Sequence, residues 1–168
     1  MSLLLLLAKR FWTGLRLGSG VWDKLKTAFG FVLISYLRHL TFNIRTSGKI
    51  LTVTVQTGSD VAMFIEVFAD EEYKLTGICP KKIIDLGANA GLASLYFSSR
   101  YDQASILAVE PDPQNYDLLA KNVAGHKNIR SFQGAVSNVP GDKVLFSVPG
   151  QGMSSSFYEK EGGGKNTG

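Results

Sequence analysis

Two short stretches constrain this chain more than any others. Residues 83–91 read IIDLGANAG, and residues 106–113 read ILAVEPDP. Each is an apolar run that stops on a carboxylate, Asp85 in the first and Glu110 in the second, and the first then breaks into glycine. Between them Leu92, Leu95, Tyr96 and Ser99 fall at helical spacing. After the second, Asp112 can cap, and Pro113 can open, a helix carrying Tyr116, Leu119, Ala120 and Val123. Ile129 to Val136 supplies a third strand. Strand, helix, strand, helix, strand is the pattern of a parallel sheet with helical crossovers, so the expected fold class is α/β.

In an open parallel sheet, ligands bind beyond the carboxyl ends of the strands. Asp85 and Glu110 end successive strands there. Gly87 permits a sharp turn, Gly91 is expected to let the next helix lie close to the sheet, and both leave room for a ligand against the backbone. A carboxylate about 20 residues further on can accept hydrogen bonds from both hydroxyls of a ribose, which is the chemical reason for Glu110. The pattern calls for an adenosine-type cofactor.

The dinucleotide fingerprint G-x-G-x-x-G is not met, because the spacing here is Gly87-x-Asn89-x-Gly91 and the second glycine is absent. Asp85 would place negative charge beside a pyrophosphate, whereas a cationic sulfonium and an ammonium would be favoured by it. S-adenosylmethionine therefore fits better than NAD. The competing reading is that the glycines serve only a tight turn and the two acids face water.

The runs IDLGANAGLASLYFSSR, ILAVEPDPQNYDLLAKNV and GAVSN precede a turn at Gly141 and an alternating strand of Val144, Phe146 and Val148. In this order they resemble the FkbM-type S-adenosylmethionine-dependent methyltransferases. The likeness covers roughly residues 58–157 and includes the segment TGSDVAMFIEVFADEEYKL. It implies a Rossmann-like methyltransferase fold, with S-adenosylmethionine as cofactor and a carbohydrate, glycolipid or natural-product hydroxyl as acceptor. It also implies that Asp85, Gly87, Ala88, Asn89 and Gly91 surround the methionine part and that Glu110 holds the ribose. Pro111 and Asp112 would flank the adenine, and Gly134 and Ala135 would approach its rim.

The family pattern continues with a strand bearing a K-I-D-x-E-G type motif. This sequence closes on EGGGKNTG instead. Only the first half of the parallel sheet is therefore expected, in a truncated chain. Its exposed edge would await a missing carboxyl-terminal half or self-association.

The expected organisation is a helical and hairpin region over residues 1–79, a partial cofactor domain over 80–161, and a glycine-rich tail over 162–168. Trp22, Leu25, Phe29, Val32, Leu33, Tyr36, Leu37 and Leu40 predict one apolar stripe on a helix from Val21 to Leu40. That stripe either packs on its own domain or lies on a membrane surface, where Leu3 to Leu7 and the Phe11–Trp12 pair would assist it. Before Ile50 the bases are Lys9, Arg10, Arg16, Lys24, Lys26, Arg38, Arg45 and Lys49, against Asp23 alone. Gly14, Gly18 and Gly20 are expected to separate this helix from an earlier, shorter one. Phe42 to Thr46 and Lys49 to Gln56 predict a hairpin about Ser47–Gly48. The run Thr57-Gly58-Ser59-Asp60 then stops the strand and caps a helix from Val61 to about Phe68.

Composition narrows the classes. A chain of 168 residues, 45% hydrophobic and 19% charged, is globular rather than disordered. One cysteine, Cys79, excludes an intrachain disulfide and points to a reducing, cytoplasmic setting. With only His39 and His126 beside it, a zinc site of the usual Cys/His type is not expected. The opening MSLLLLLAKR lacks a basic region before its leucines and a cleavage site after them, so a secretory signal is not expected. No run approaches the ~20 apolar residues that cross a bilayer. The basic residues are not interleaved with a stacking surface, which argues against nucleic acid.

The catalytic residue is unknown. Asp60, Glu66, Tyr73 and His126 could each act as a base, but Asp60 suits a helix cap and His126 a solvated loop. Ser154, Ser155 and Ser156 suit a loop. The rival functions are a non-catalytic membrane-peripheral or partner-binding module and an NAD-type nucleotide-binding fragment.

Overall fold

The computed structural model describes residues 3–136. Expectations about Val144 to Val148, Ser154 to Ser156 and the glycine tail lie outside the described residues.

The chain opens with α1 (Leu3–Leu17) and α2 (Val21–Leu33), joined at Gly18 to Gly20. Gly14 sits inside α1 rather than ending it. A Cβ there would lie 2.5 Å from the Ala28 Cα, so glycine is what allows the two helices to touch backbone to backbone. The first helix, at 15 residues against 13, is the longer of the two, contrary to expectation.

The stripe on α2 also differs from the expectation of a helix packed through it. Trp22, Leu25, Phe29 and Leu33 are exposed, and the buried side is Thr27, Ala28, Gly30 and Phe31. With the α1 backbone so close, only small side chains fit at Thr27 and Ala28. Nor does the helix reach Leu40. A 3-10 turn at Ile34–Tyr36 ends it, Leu37 is extended, and Leu40 opens a strand.

That strand, β1 (Leu40–Thr46), pairs antiparallel with β2 (Lys49–Val55). Ser47 and Gly48 turn the hairpin with φ of 48° and 76°, the mirror-type turn that matches the twist of its strands. Phe42, Ile44, Val53 and Val55 face the core. Thr57 then caps α3 (Gly58–Phe64) in a reciprocal capping box with Asp60, so the helix starts three residues before Val61. A single π-type turn, Ile65–Ala69, finishes it.

The second half is a three-stranded parallel sheet in the order β3 (Lys82–Leu86), β4 (Ser105–Glu110), β5 (Ile129–Gln133). Its crossovers are α4 (Leu92–Arg100) and α5 (Pro113–Val123). As expected, Asp112 caps α5, its Oδ1 accepting from the Asn115 amide at 2.9 Å, with Pro113 in the first turn. The chain is thus a partial Rossmann-like α/β unit preceded by helices and a hairpin.

Ile106, Ala108 and Ile129 are buried with Leu92, Leu95, Leu118 and Leu119 of the two helices. The opposite sheet face carries Ile84, Leu86, Leu107 and Phe132, all exposed. Among the described strands, β3 has a neighbour on one side only.

One hydrophobic cluster runs from Phe31, Phe42 and Phe64 through Tyr96 to Leu119 and Ile129, across the seam expected near Cys79. Phe31, Phe42 and Phe64 meet edge to face with ring centroids 5.2–5.3 Å apart. A polar tie adds to this. The Asn122 carboxamide on α5 accepts from the Thr54 amide at 2.8 Å and donates to the Thr54 carbonyl at 3.0 Å and the Ala90 carbonyl at 2.8 Å. It joins the hairpin, α5 and the loop after β3.

Candidate functional site

All ten residues expected at the site lie at or just beyond the carboxyl ends of the three parallel strands. Glu110 ends β4 and is only 5% exposed. Its Oε2 accepts from the Asn89 amide at 2.8 Å and its Oε1 from the Asp112 amide at 2.9 Å. A carboxylate offers about four lone-pair positions, so two remain. The Glu110 carbonyl accepts from the Gly134 amide at 3.1 Å. One residue therefore gathers the loops after all three strands.

The loop after β3 is tightly wound. The Gly87 and Ala88 amides both donate to the Val109 carbonyl at 2.9 Å. Gly87, Asn89 and Gly91 have φ of 73°, 48° and 80°. Asparagine tolerates this left-handed region better than most side chains. A Cβ at Gly87 would meet nothing within 4 Å, so the space above it is open. The Asn89 Oδ1 is buried without a hydrogen-bond partner among the described residues. Burying an acceptor unpaired is costly, so the position suits an N–H donor from a ligand.

Gly91 corrects an expectation. It admits α5 rather than the sheet, since a Cβ there would lie 2.6 Å from the Leu119 Cδ1 and 3.4 Å from the Val123 Cγ1.

Asp85 lies on β3 with its Oδ2 accepting from the Ser94 hydroxyl at 2.6 Å. Burial pushes its carboxyl above the ordinary aspartate range, the Ser94 bonds oppose this, and the charge of Glu110 adds to it. The two acids, near the ends of adjacent parallel strands, are thus close enough to feel one another. Two carboxylates so placed disfavour a pyrophosphate and favour a cation. Ser94 is the residue that sequence reasoning missed. Its signal was a small hydroxyl in the first turn of the helix that the glycine loop opens.

The remaining expected positions follow β4 and β5. Pro111 is half-buried, the Asp112 side chain serves its cap, and Ala135 is exposed. At Gly134 a Cβ would lie 2.5 Å from the Phe132 ring.

None of the four candidate bases is joined to Asp85, the glycine loop or Glu110 by a described hydrogen bond or ring contact. The Asp60 Oδ2 is held by the Gln56 and Thr57 amides at 2.8 and 2.9 Å. Glu66 is exposed, and Tyr73 sets its ring 6.0 Å from that of Phe97. His126 precedes β5, at the amino end of the sheet. It is not the solvated loop residue expected. It is half-buried, with its Nδ1 3.3 Å from the Ser98 hydroxyl, and it lines a cavity of about 230 Å³ with Lys49 and Asn128.

No protein-family model matches the chain. Over 106 residues it is 36% identical to methyltransferase sdnD of Sordaria araneosa, covering 60% of this chain and 41% of that protein. Over 99 residues it is 26% identical to methyltransferase 1 of Beauveria bassiana, covering 57% and 40%. The chain thus spans about two fifths of the length of these curated relatives. Among solved structures it is similar to Pyrococcus horikoshii TYW2 in complex with MeSAdo, with a TM-score of 0.41 and 16% identity over 60% of this chain and 38% of that one.

Proposed function

We propose that this chain carries the cofactor-binding half of an S-adenosylmethionine-dependent methyltransferase of the FkbM type, acting on a carbohydrate, glycolipid or natural-product hydroxyl. One observation carries the reading. Asp85 and Glu110 lie near the ends of adjacent strands, within electrostatic reach of one another, beside a loop that is open at Gly87 and holds the buried, unpartnered Asn89 Oδ1. The methyltransferase names of the relatives support the reaction, and the acceptor class rests on the resemblance in sequence.

The residues present fit the cofactor. The Asp85 carboxylate offers negative charge to a cationic head, and the Asn89 Oδ1 offers an acceptor to its ammonium. The free lone pairs of Glu110 suit two ribose hydroxyls. Pro111, Asp112, Gly134 and Ala135 form the wall on which a base would rest. S-adenosylmethionine, when bound, supplies an electrophilic methyl group on a sulfonium. The protein's task is then to hold the acceptor hydroxyl in line with it and keep water out, positioning worth up to about 7–11 kcal/mol of barrier. We assign no residue to take the hydroxyl proton.

The test is calorimetric titration of the chain with S-adenosylmethionine, S-adenosylhomocysteine and NAD, with circular dichroism to show that it is folded. Saturable one-site binding of the first two, and none of NAD, is expected. Folded protein that binds NAD alone, or none of the three, overturns the reading.

A further inference from the structure

The two amino-terminal helices present an apolar face to solvent that the rest of the chain does not use. On α2 the stripe of Trp22, Leu25, Phe29 and Leu33 points outward, and Tyr36 in the following turn is exposed. On α1 the exposed residues include Leu4, Leu5 and Trp12. Phe11 links the two sets, its ring 5.4 Å from that of Phe29 and 6.0 Å from that of Trp12. The chain has two tryptophans, and both stand on these helices, 68% and 84% exposed.

Charge distinguishes the possible occupants. Lys9 pairs with Asp70, and Arg10 and Arg16 donate to the Gly58 and Ala69 carbonyls. Lys24, Lys26 and Arg38 are exposed and have no carboxylate partner among the described residues. The Asp23 carboxylate on α2 accepts from the Ser19 hydroxyl. Protein interfaces are depleted in lysine, whereas an anionic bilayer attracts it and accommodates its apolar stem. Tryptophan and tyrosine favour the headgroup level, where one end of the ring is dry and the other wet. No helix among the described residues is long and apolar enough to cross a membrane, so the face would lie along the surface.

We infer that the outward face of α1 and α2 docks on an anionic lipid surface, with Trp12, Trp22 and Phe29 entering the interface and Lys26 meeting headgroup phosphates. This inference does not rest on the cofactor reading.

The test uses the 168-residue chain with vesicles of phosphatidylcholine alone or mixed with phosphatidylserine. Co-sedimentation and a blue shift of tryptophan emission are expected with the anionic vesicles and are reduced by salt. Quenching by brominated acyl chains should follow. The double variant Trp22→Ser, Phe29→Ser keeps Trp12 as reporter and should lose at least tenfold in affinity. The variant Lys26→Glu should reduce the preference for anionic lipid. Both should keep the far-ultraviolet spectrum and the titration with S-adenosylhomocysteine of the parent. Absence of sedimentation and of any emission shift overturns the inference. So does a shift that appears without lipid and tracks a concentration-dependent rise in mass, which would assign the face to a second copy.

Discussion

The Glu110 carboxylate holds the Asn89 amide at 2.8 Å, so the tip of β4 fixes the left-handed loop that follows β3. Glu110 is therefore both a clamp within the protein and, in the proposed function, a partner of the cofactor ribose. Glu110→Gln replaces one accepting oxygen with a donor and leaves either the Asn89 or the Asp112 amide unmatched. We expect a loss of about 1–3 kcal/mol in urea unfolding. Calorimetry should show S-adenosylhomocysteine binding weakened about tenfold or more, about 1.4 kcal/mol. Unchanged stability would mean that the loop does not depend on this clamp.

Asp85 links stability to pH with a sign that follows from its environment. Burial, and after it Glu110, holds its folded carboxyl above the ordinary value of 3.8, against the pull of Ser94. The folded state thus prefers the protonated form. Its stabilising contribution is complete below the unfolded range and is lost as pH rises through the folded value. Asp85→Asn should raise the melting temperature at about pH 7 and change it little at about pH 3, while weakening cofactor binding. Equal shifts at both pH values would contradict this.

The two outer glycines of the loop should behave differently. Both have positive φ, but Gly87 faces open space and Gly91 faces Leu119 and Val123. Gly87→Ala should cost about 1 kcal/mol of left-handed strain while crowding the ligand space. Gly91→Ala adds overpacking and should cost about 2–4 kcal/mol. Unfolding curves give the order, and calorimetry should assign the larger binding defect to Gly87→Ala.

His126 should make the fold sensitive to acid. Burial, with the charge of Lys49 adding to it, lowers its affinity for a proton below the ordinary value of 6.5. The unfolded chain takes up that proton more readily, so stability is present above the ordinary range and declines as pH falls through it. His126→Gln should flatten the melting-temperature profile between about pH 7.5 and 5.5 and leave cofactor binding unchanged, since the residue lies at the amino end of the sheet.

The parallel unit was legible because its signals are local. Apolar runs, the glycines at 87 and 91, and the Asp112–Pro113 pair each encode a strand, a turn or a helix start over a few residues. The same holds for the hairpin at Ser47–Gly48. The helical region was not, because periodicity reveals a stripe without saying which way it faces. The buried side of α2 is built largely on Thr27, Ala28 and Gly30, small residues with little apolar signal, and the large aromatics were free to point outward. Gly14 misled for the same reason, since its partner Ala28 is distant in sequence. At the site, Asp85 and Glu110 could be read from strand ends. The Ser94 bond and the packing of Gly91 on Leu119 depend on how α4 is rotated, which no local pattern states.

The three hydrogen bonds of Asn122 have a mechanical consequence. They fasten the amino-terminal hairpin to α5 and to the loop after β3, and one continuous core backs them. If α1 and α2 rest on a bilayer, the mouth above Gly87 is carried at a set height and tilt, like an instrument on a fixed stand rather than a buoy on a rope. In the proposed function, acceptors would then be sorted by how far their hydroxyls rise above the lipid.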